Sequence, residues 1–215
     1  MSRIYAAVPI KEFDGAKQRL SSVLTPAQRS LVAMAMVEDV LQALSGARLL
    51  AGILVNTIDP CATALAQRYG ARIVTDGARD GHTGAVNALF DAAMRAGCDA
   101  VMTIPGDVPR VTSAEIDALI ASHRPGPSLT IAPAHDELGS NAIICSPPRV
   151  MPLRFGDDSY FPHLMTARAH GIEPTIVRLP GVGLDIDHPA DLRAFMRAAP
   201  YMPTRTFAAL RGVGF

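Results

Sequence analysis

Short apolar runs alternate with capped helical stretches from Ile4 to Arg124, and this alternation restricts the possible folds more than any other feature of the chain. Ile4 to Val8 reads as a strand. Thr25-Pro26 then supplies an N-cap and the favoured N1 proline of a helix running to about Leu44. Leu49 to Val55 is a continuous apolar run of the buried-strand type. Asp59-Pro60 opens a second helix, which Gly70 closes before a short strand at Ala71 to Val74. After the loop Thr75 to His82, Thr83 is placed to cap a helix ending at Gly97. Ala100 to Ile104 forms the next strand, and Thr112-Ser113-Ala114-Glu115 is a capping box for the helix that follows. Four strands alternating with four helices predict an α/β fold of three layers. The sheet is mostly parallel, with ligands bound where the carboxyl ends of the strands release their loops.

Beyond Arg124-Pro125-Gly126-Pro127 the pattern becomes mixed. Strands are expected at Leu129 to Ala132 and Asn141 to Cys145, followed by a loop rich in Pro, Arg, Gly and Asp. A short helix near Tyr160 to His170, a strand at Thr175 to Leu179 and a final helix from Pro189 to about Ala198 complete the fold. These elements extend the same sheet and cover the substrate side. With 49% hydrophobic residues, a chain of 215 residues can bury the core of one such domain, placed here at 1–200. The stretch 201–215 has little periodicity and reads as a tail, either a contact arm or a frayed end.

Charge and cysteine content exclude several classes of function. Twenty basic and twenty acidic residues cancel, so no global field exists to hold nucleic acid or an anionic membrane, and an anion site has to be built locally. Small-molecule partners are therefore expected. Cys61, Cys98 and Cys145 are odd in number and widely spaced, each beside apolar residues, which predicts reduced core thiols instead of disulfides or a zinc site. No N-terminal signal pattern is seen, and every apolar stretch is broken well short of a membrane span, so a cytoplasmic location is expected.

Chemistry concentrates in the loops that follow the predicted strands. The segment from Val8 to Leu20 carries Lys11, Lys17 and Arg19 away from the end of the first strand, where cationic side chains can converge on polyphosphate. It lacks the GxxxxGK[ST] spacing of a P-loop, and solvated surface lysines are its plain structural alternative. Asp107, in Ile104-Pro105-Gly106-Asp107-Val108-Pro109, follows a buried strand at the expected ligand edge. It reads either as a magnesium carboxylate or as the cap of a turn. In Gly183-Leu184-Asp185-Ile186-Asp187-His188-Pro189, extended alternation sends Asp185 and Asp187 to one side, where a cation would relieve their repulsion. Asp185 is favoured as ligand, because Asp187 also suits an N-cap.

Three further segments carry polar groups without a core reason. Asp80-Gly81-His82-Thr83-Gly84-Ala85 joins a strand to a helix whose first amides can face phosphate or ribose oxygens. A lone loop histidine such as His82 is more often a packing residue than an acid or base. Gly139-Ser140-Asn141 and Phe155-Gly156-Asp157-Asp158-Ser159 supply hydroxyl, amide and backbone N–H donors. They suit an acceptor-phosphate pocket, and ordinary turn chemistry explains them equally well.

Taken in order, these segments resemble one family. The quoted pieces are the Pro-x-Lys and Ala-Lys-x-Arg-Leu loop, Thr-Pro-x-x-Arg before the first long helix, Gly-Asp-x-Pro, Gly-Ser-Asn-Ala, Phe-Gly-x-x-Ser and Gly-Leu-Asp-Ile-Asp. Between about Val8 and Leu192 the chain resembles the guanylyltransferases of deazaflavin coenzyme (factor 420) biosynthesis. Members of that family join GMP to 2-phospho-L-lactate, phosphoenolpyruvate or 3-phosphoglycerate. The resemblance implies a fold of nucleotide-diphosphosugar-transferase (GT-A-like) type, GTP as donor, Mg2+ as cofactor and pyrophosphate as co-product. By motif it implies Asp107, Asp185 and Asp187 as metal carboxylates, and Asn141, Gly156 and Ser159 as contacts of a three-carbon phospho-acid. It further implies Lys11, Lys17, Arg19, Gly81, Thr83 and Asp107 as nucleotide contacts, with Lys17, Arg19, Asp107 and Asp185 carrying catalysis. Two departures stand out. The family commonly has Gly-Leu-Asn where this chain has Gly81-His82-Thr83, and Thr where it has Asn141.

The resemblance also implies a mechanism that needs no general base, since a phosphate acceptor is already ionised near neutral pH and alignment with charge stabilisation suffices. A cytidylyl- or uridylyltransferase acting on a sugar or alditol phosphate is the competing enzyme reading. A nucleotide-binding module without turnover is the non-enzymatic one. Apolar Met and Leu positions between Pro26 and Leu44 suit either a homodimer interface or burial against the parent sheet.

Overall fold

The computed structural model describes residues 2–156, 158–198 and 203–215. Asp157 and the expected domain boundary at 200/201 lie outside the described residues. Seven strands form one sheet: β1 (Ile4–Pro9), β2 (Leu50–Asn56), β3 (Arg72–Val74), β4 (Ala100–Thr103), β5 (Ser128–Pro133), β6 (Ser140–Ser146) and β7 (Thr175–Ile176). Their spatial order is β3-β2-β1-β4-β6-β5-β7. Parallel pairing joins β3, β2, β1 and β4, and also β5 to β7, whereas β6 runs antiparallel to both β4 and β5. The mixed later half thus extends the first half's sheet. The expected strand from Thr175 to Leu179 is only two residues long, and it sits at the sheet's edge beside β5.

Period-two alternation assigns each strand's side chains to one of two cores. Ile4, Ala6 and Val8 of β1, with Ala100 and Met102 of β4, face a core shared with α1 (Pro26–Ser45), α2 (Pro60–Arg68), α4 (Ser113–Ala121) and α6 (Pro189–Ala198). Tyr5, Ala7 and Val101 face the opposite core, against α3 (Gly81–Arg95) and α5 (Tyr160–Ala169). The caps explain where several helices begin. Thr25 and Gln28 close a capping box on α1, with Pro26 at N1, and Thr112 and Glu115 close another on α4. Met36, Leu41 and Leu44 of α1 are buried, so the apolar face considered for a dimer is largely consumed within the chain, although Leu31 stays half-exposed.

Three local expectations are corrected. The stretch read as an aperiodic tail carries a helix, α7 (Arg205–Gly212), which packs on α1 through fully buried Thr206 and Leu210. Buried Asp39 of α1 accepts the backbone N–H groups of Arg205 and Thr206 and the Thr206 hydroxyl, so it caps the incoming helix. Helix α3 begins at Gly81 after Asp80, which places Thr83 inside its first turn instead of at its cap. Cys61 is exposed and Cys98 half-buried, leaving Cys145 as the one fully buried thiol, where burial pushes its pKa up to about 12. Cys61 misses the core because Ala62, Leu65 and Ala66 are the residues that α2 turns inward.

Candidate active site

A cleft of about 1430 Å³ opens at the carboxyl ends of β1 and β4. The strand order reverses between these two strands, which is the position where open α/β sheets bind ligands. The loop after β1 forms one wall, and it is pinned at several points. Asp59 accepts the Phe13 N–H at 2.9 Å while capping α2 through the N–H groups of Cys61 and Ala62. The Ser30 hydroxyl donates to Phe13 O. Buried Arg29, from the Thr-Pro-x-x-Arg segment, donates to the carbonyls of Ala16 and Leu24. Within this frame Lys17 adopts the left-handed conformation (φ 51°), ahead of a short 3-10 turn at Gln18–Leu20. A non-glycine residue rarely takes this conformation, and it persists only where its surroundings over-determine it.

The strain at Lys17 accompanies an ion-pair cluster. Its Nζ lies 2.6 Å from Asp107 Oδ2 and 2.7 Å from Asp187 Oδ1, and its side chain is only 13% exposed. Burial pushes the ammonium's pKa down, but the two carboxylates outweigh it, so Lys17 stays charged well above neutrality. Burial likewise pushes Asp187 up, yet Lys17 and Arg19 reverse the sign and hold it below the usual carboxylate range. Arg19 stands 3.6 Å from Asp187 Oδ2. Among the described residues, no cation pairs with Asp185 in the same way. Burial raises its pKa, the Asn141 amide offsets part of the shift at 3.0 Å, and the charges of Asp107 and Asp187 add to it.

Two backbone features bring these distant residues together. The Ile186 N–H donates to Asp107 O at 3.0 Å, which fastens the segment carrying Asp185 and Asp187 to the loop after β4. A Cβ on Gly106 would meet Val37 of α1 at 2.9 Å, so only glycine lets the Asp107 loop lie this close to the helix. The alternative cap role of Asp187 is filled differently: Asp191, inside α6, accepts the N–H groups of Asp187 and His188. Among the described residues, no three His, Cys, Asp or Glu side chains gather into a ready-made metal cage.

On the opposite wall the donors are neutral hydroxyl and amide groups, although Asp136 also lines the cleft there. Ser159 precedes α5 as expected, but its N–H and that of Tyr160 both donate to Leu138 O, so these amides are not available to an anion. Its hydroxyl oxygen accepts the Ser140 N–H at 3.1 Å. The Asn141 amide nitrogen donates to Val182 O and Asp185 Oδ1, which makes Asn141 the support of Asp185. Gly156 lines the cleft, and a Cβ there would meet nothing within 4 Å.

Lys11, Gly81 and His82 line the cleft and a small adjoining recess that Asn56 also borders. The His82 ring meets Phe155 edge-on at 4.7 Å. Burial pushes its pKa down, partly countered by Asp107. Thr83 is not on the cleft wall. Its hydroxyl oxygen accepts the Phe155 N–H at 3.2 Å, tying α3 to the loop before Ser159. The cleft thus gathers ten of the eleven residues singled out from the sequence, with Thr83 behind it. Sequence reasoning missed the supports, namely Asp59, Arg29 as a loop clamp, and His163, whose ring reaches Ser140 and Arg154. Asp59-Pro60 signalled a cap, but nothing local signalled its second bond to Phe13.

Comparison with known proteins agrees with this geometry. A family model described as "Guanylyl transferase CofC like" matches residues 4–215. A phosphoenolpyruvate guanylyltransferase from Rubrobacter xylanophilus is 35% identical over 192 residues, covering 88% of this chain and 91% of the relative. A 2-phospho-L-lactate guanylyltransferase from Methanothermobacter thermautotrophicus is 32% identical over 187 residues, covering 87% and 81%. Among solved structures, a protein described as a nucleotide-diphospho-sugar transferase from Desulfovibrio desulfuricans G20 superposes with a TM-score of 0.76. It is 20% identical and covers 99% of this chain and 95% of that one, which establishes the fold.

Proposed function

The chain belongs to the CofC-like guanylyl transferase family, and from that premise we propose that it transfers GMP from GTP to a phosphorylated three-carbon acid in factor-420 coenzyme biosynthesis. The acceptor is phosphoenolpyruvate, 2-phospho-L-lactate or 3-phosphoglycerate. The observation that carries this reading is the largely shielded Lys17 ammonium held between Asp107 and Asp187 at the strand-order reversal. Charge of both signs is concentrated there on the cleft wall, in a family whose reaction handles a triphosphate.

In the reaction, an ionised oxygen of the acceptor phosphate attacks the α-phosphorus of GTP. The new P–O bond forms as the bond to the β-phosphate oxygen breaks, and pyrophosphate leaves with that electron pair. No side chain has to remove a proton, because the attacking oxygen already carries charge near neutral pH. Lys17 and Arg19 neutralise the β- and γ-phosphates, and the pinned loop keeps both in place before substrate arrives. The nucleotide lies along Lys11, Gly81 and His82. Ser159 and Gly156 meet the acceptor, while Asn141 holds Asp185.

The carboxylates suit Mg2+, which takes oxygen ligands and seldom more than one or two from protein. Asp185, raised first by burial and further by the charges of Asp107 and Asp187, would gain from a cation beside it. Asp107 and Asp185 would hold the ion, with Asp187 beside them. When bound, it supplies positive charge against the phosphate oxygens.

Pyrophosphate release measured with each of the four nucleoside triphosphates and each three-carbon phospho-acid tests the proposal. Turnover is expected with GTP and at least one of these acids. Turnover confined to CTP or UTP with sugar or alditol phosphates would overturn it.

A further inference from the structure

The wall facing the acceptor contains a hydrogen-bond chain whose direction is fixed by a single buried ring. His163 is 2% exposed, and the Arg154 N–H donates to its Nε2 at 3.2 Å. An Nε2 that accepts cannot carry the proton, so a neutral His163 holds it on Nδ1. Burial lowers the pKa of His163 to about 4, in keeping with the neutral form. Nδ1 lies 2.9 Å from Ser140 Oγ and therefore donates to it. Next along the chain, the Ser140 N–H donates to Ser159 Oγ at 3.1 Å. Both serine oxygens thus act as acceptors toward the protein. Among the described residues no acceptor takes either hydroxyl hydrogen, and both serines line the cleft.

We infer that Ser140 is a second acceptor-binding residue beside Ser159, and that His163 is a positioning residue that turns the Ser140 hydroxyl into an obligatory donor toward an anionic oxygen of the phospho-acid. The inference rests on the transferase reading above and deepens it. The nearby helix amides do not fill this role, since Leu138 O occupies those of Ser159 and Tyr160. Each hydroxyl that accepts from the protein keeps its own hydrogen to give, and toward an anionic oxygen, which cannot donate, giving it is the one bond available. Two such hydroxyls side by side recognise an anion without placing a fixed positive charge there. His163 also meets Phe155 edge-on at 5.1 Å, and Phe155 meets His82, so the ring is held by packing as well as by hydrogen bonds.

The test combines kinetics with nitrogen NMR of the folded protein. Ser140→Ala should raise the KM for the phospho-acid by roughly 10- to 100-fold, the range for a lost hydrogen bond to a charged group, with the KM for GTP within twofold of wild type. Ser140→Thr, which keeps the hydroxyl, should restore most of the loss. His163→Phe fills the ring's volume without the donor and should raise the same KM with little change in that for GTP. His163→Asn, with an amide N–H near the Nδ1 position, should recover part of it. Because the His163 variants risk misfolding, wild-type protein labelled with 15N-histidine provides an independent readout. His163 should show the Nδ1–H tautomer, and its resonances should shift on adding phosphoenolpyruvate, 2-phospho-L-lactate or 3-phosphoglycerate. Turnover with an unchanged acceptor KM in Ser140→Ala, or an Nε2–H tautomer, would overturn the inference alone. Absence of pyrophosphate release from GTP with every three-carbon acid would overturn the functional reading and the inference with it.

Discussion

The two walls of the cleft solve the recognition of anions in opposite ways. The wall built from the loops after β1 and β4 uses fixed charge: Lys17 is held, largely shielded, between two carboxylates, and Arg19 extends the cluster. The wall built from the β5–β6 loop and the start of α5 offers neutral hydroxyl donors, whose direction is set by backbone donors and a buried ring, with Asp136 also on its lining. The difference matches the ligands proposed for each side. A triphosphate carries enough charge to displace an ammonium from its carboxylates, whereas a small phospho-acid has to be oriented as well as attracted. Hydroxyl donors in fixed positions impose orientation. Point charges mainly attract, with less directional demand.

Removing a carboxylate should show how far the charged wall depends on its full set. Asp107→Asn keeps the volume and leaves Lys17 paired with Asp187, so thermal unfolding should stay near wild type. Turnover should fall by roughly 100-fold or more, because a neutral amide is a poor ligand for Mg2+ and loses the negative charge that holds Lys17. Rates near wild type would remove Asp107 from the chemistry and return it to its turn. The corresponding blow to the neutral wall is Ser159→Leu. Ser159 is 3% exposed, so the larger side chain should fill the acceptor side, abolishing turnover or raising the acceptor KM by about tenfold or more. GTP binding measured by calorimetry with Mg2+ should be preserved. Loss of GTP affinity in this variant would show that the two walls do not divide the ligands as proposed.

The division between walls also marks what the sequence could reveal. The charged wall was legible because its residues sit in short strand-end segments, each with its own turn chemistry: Gly-Asp-x-Pro for Asp107, and alternation that places Asp185 and Asp187 on one side. What remained hidden was pairing across the chain. Lys17 and Asp187 are 170 residues apart, and the ammonium between two expected metal carboxylates follows only from the fold. On the neutral wall, the motif around Ser159 was visible. The use of its amides by Leu138, and the link from His163 to Ser140, depend on loop geometry that periodicity does not encode. Helix α7 escaped for a related reason: it is two turns long and offers the core chiefly Thr206 and Leu210, too brief a pattern to stand out. Thr83 shows the converse error. A threonine before an apolar run suggests a cap, but the turn ending at Asp80 starts the helix earlier and sends the hydroxyl to Phe155.

Within the charged wall, Lys17→Ala should cost about 1–3 kcal/mol in kcat/KM for GTP, the range for charge-assisted phosphate contacts. The acceptor KM should move less than twofold. An unchanged kcat/KM for GTP would mean that Lys17 serves only to neutralise Asp107 and Asp187 in the resting protein.

Arg19→Ala sharpens the comparison most finely, because it separates buried from exposed charge within one loop. Arg19 is 51% exposed at its side chain and 3.6 Å from Asp187, against 13% and 2.7 Å for Lys17. Water and salt screen an exposed guanidinium, so its share in phosphate neutralisation should be about 0.2–1 kcal/mol in kcat/KM for GTP, smaller than that of Lys17. That share should shrink further as ionic strength rises, while the Lys17→Ala deficit persists, because a charge shielded from solvent is screened much less. Measuring both variants at low and high salt checks the ordering. A larger, salt-resistant loss for Arg19→Ala would show that the loop closes over GTP and buries Arg19 in the bound state. In that case the left-handed Lys17 would mark a hinge, and the charged wall would be assembled by substrate instead of standing ready for it.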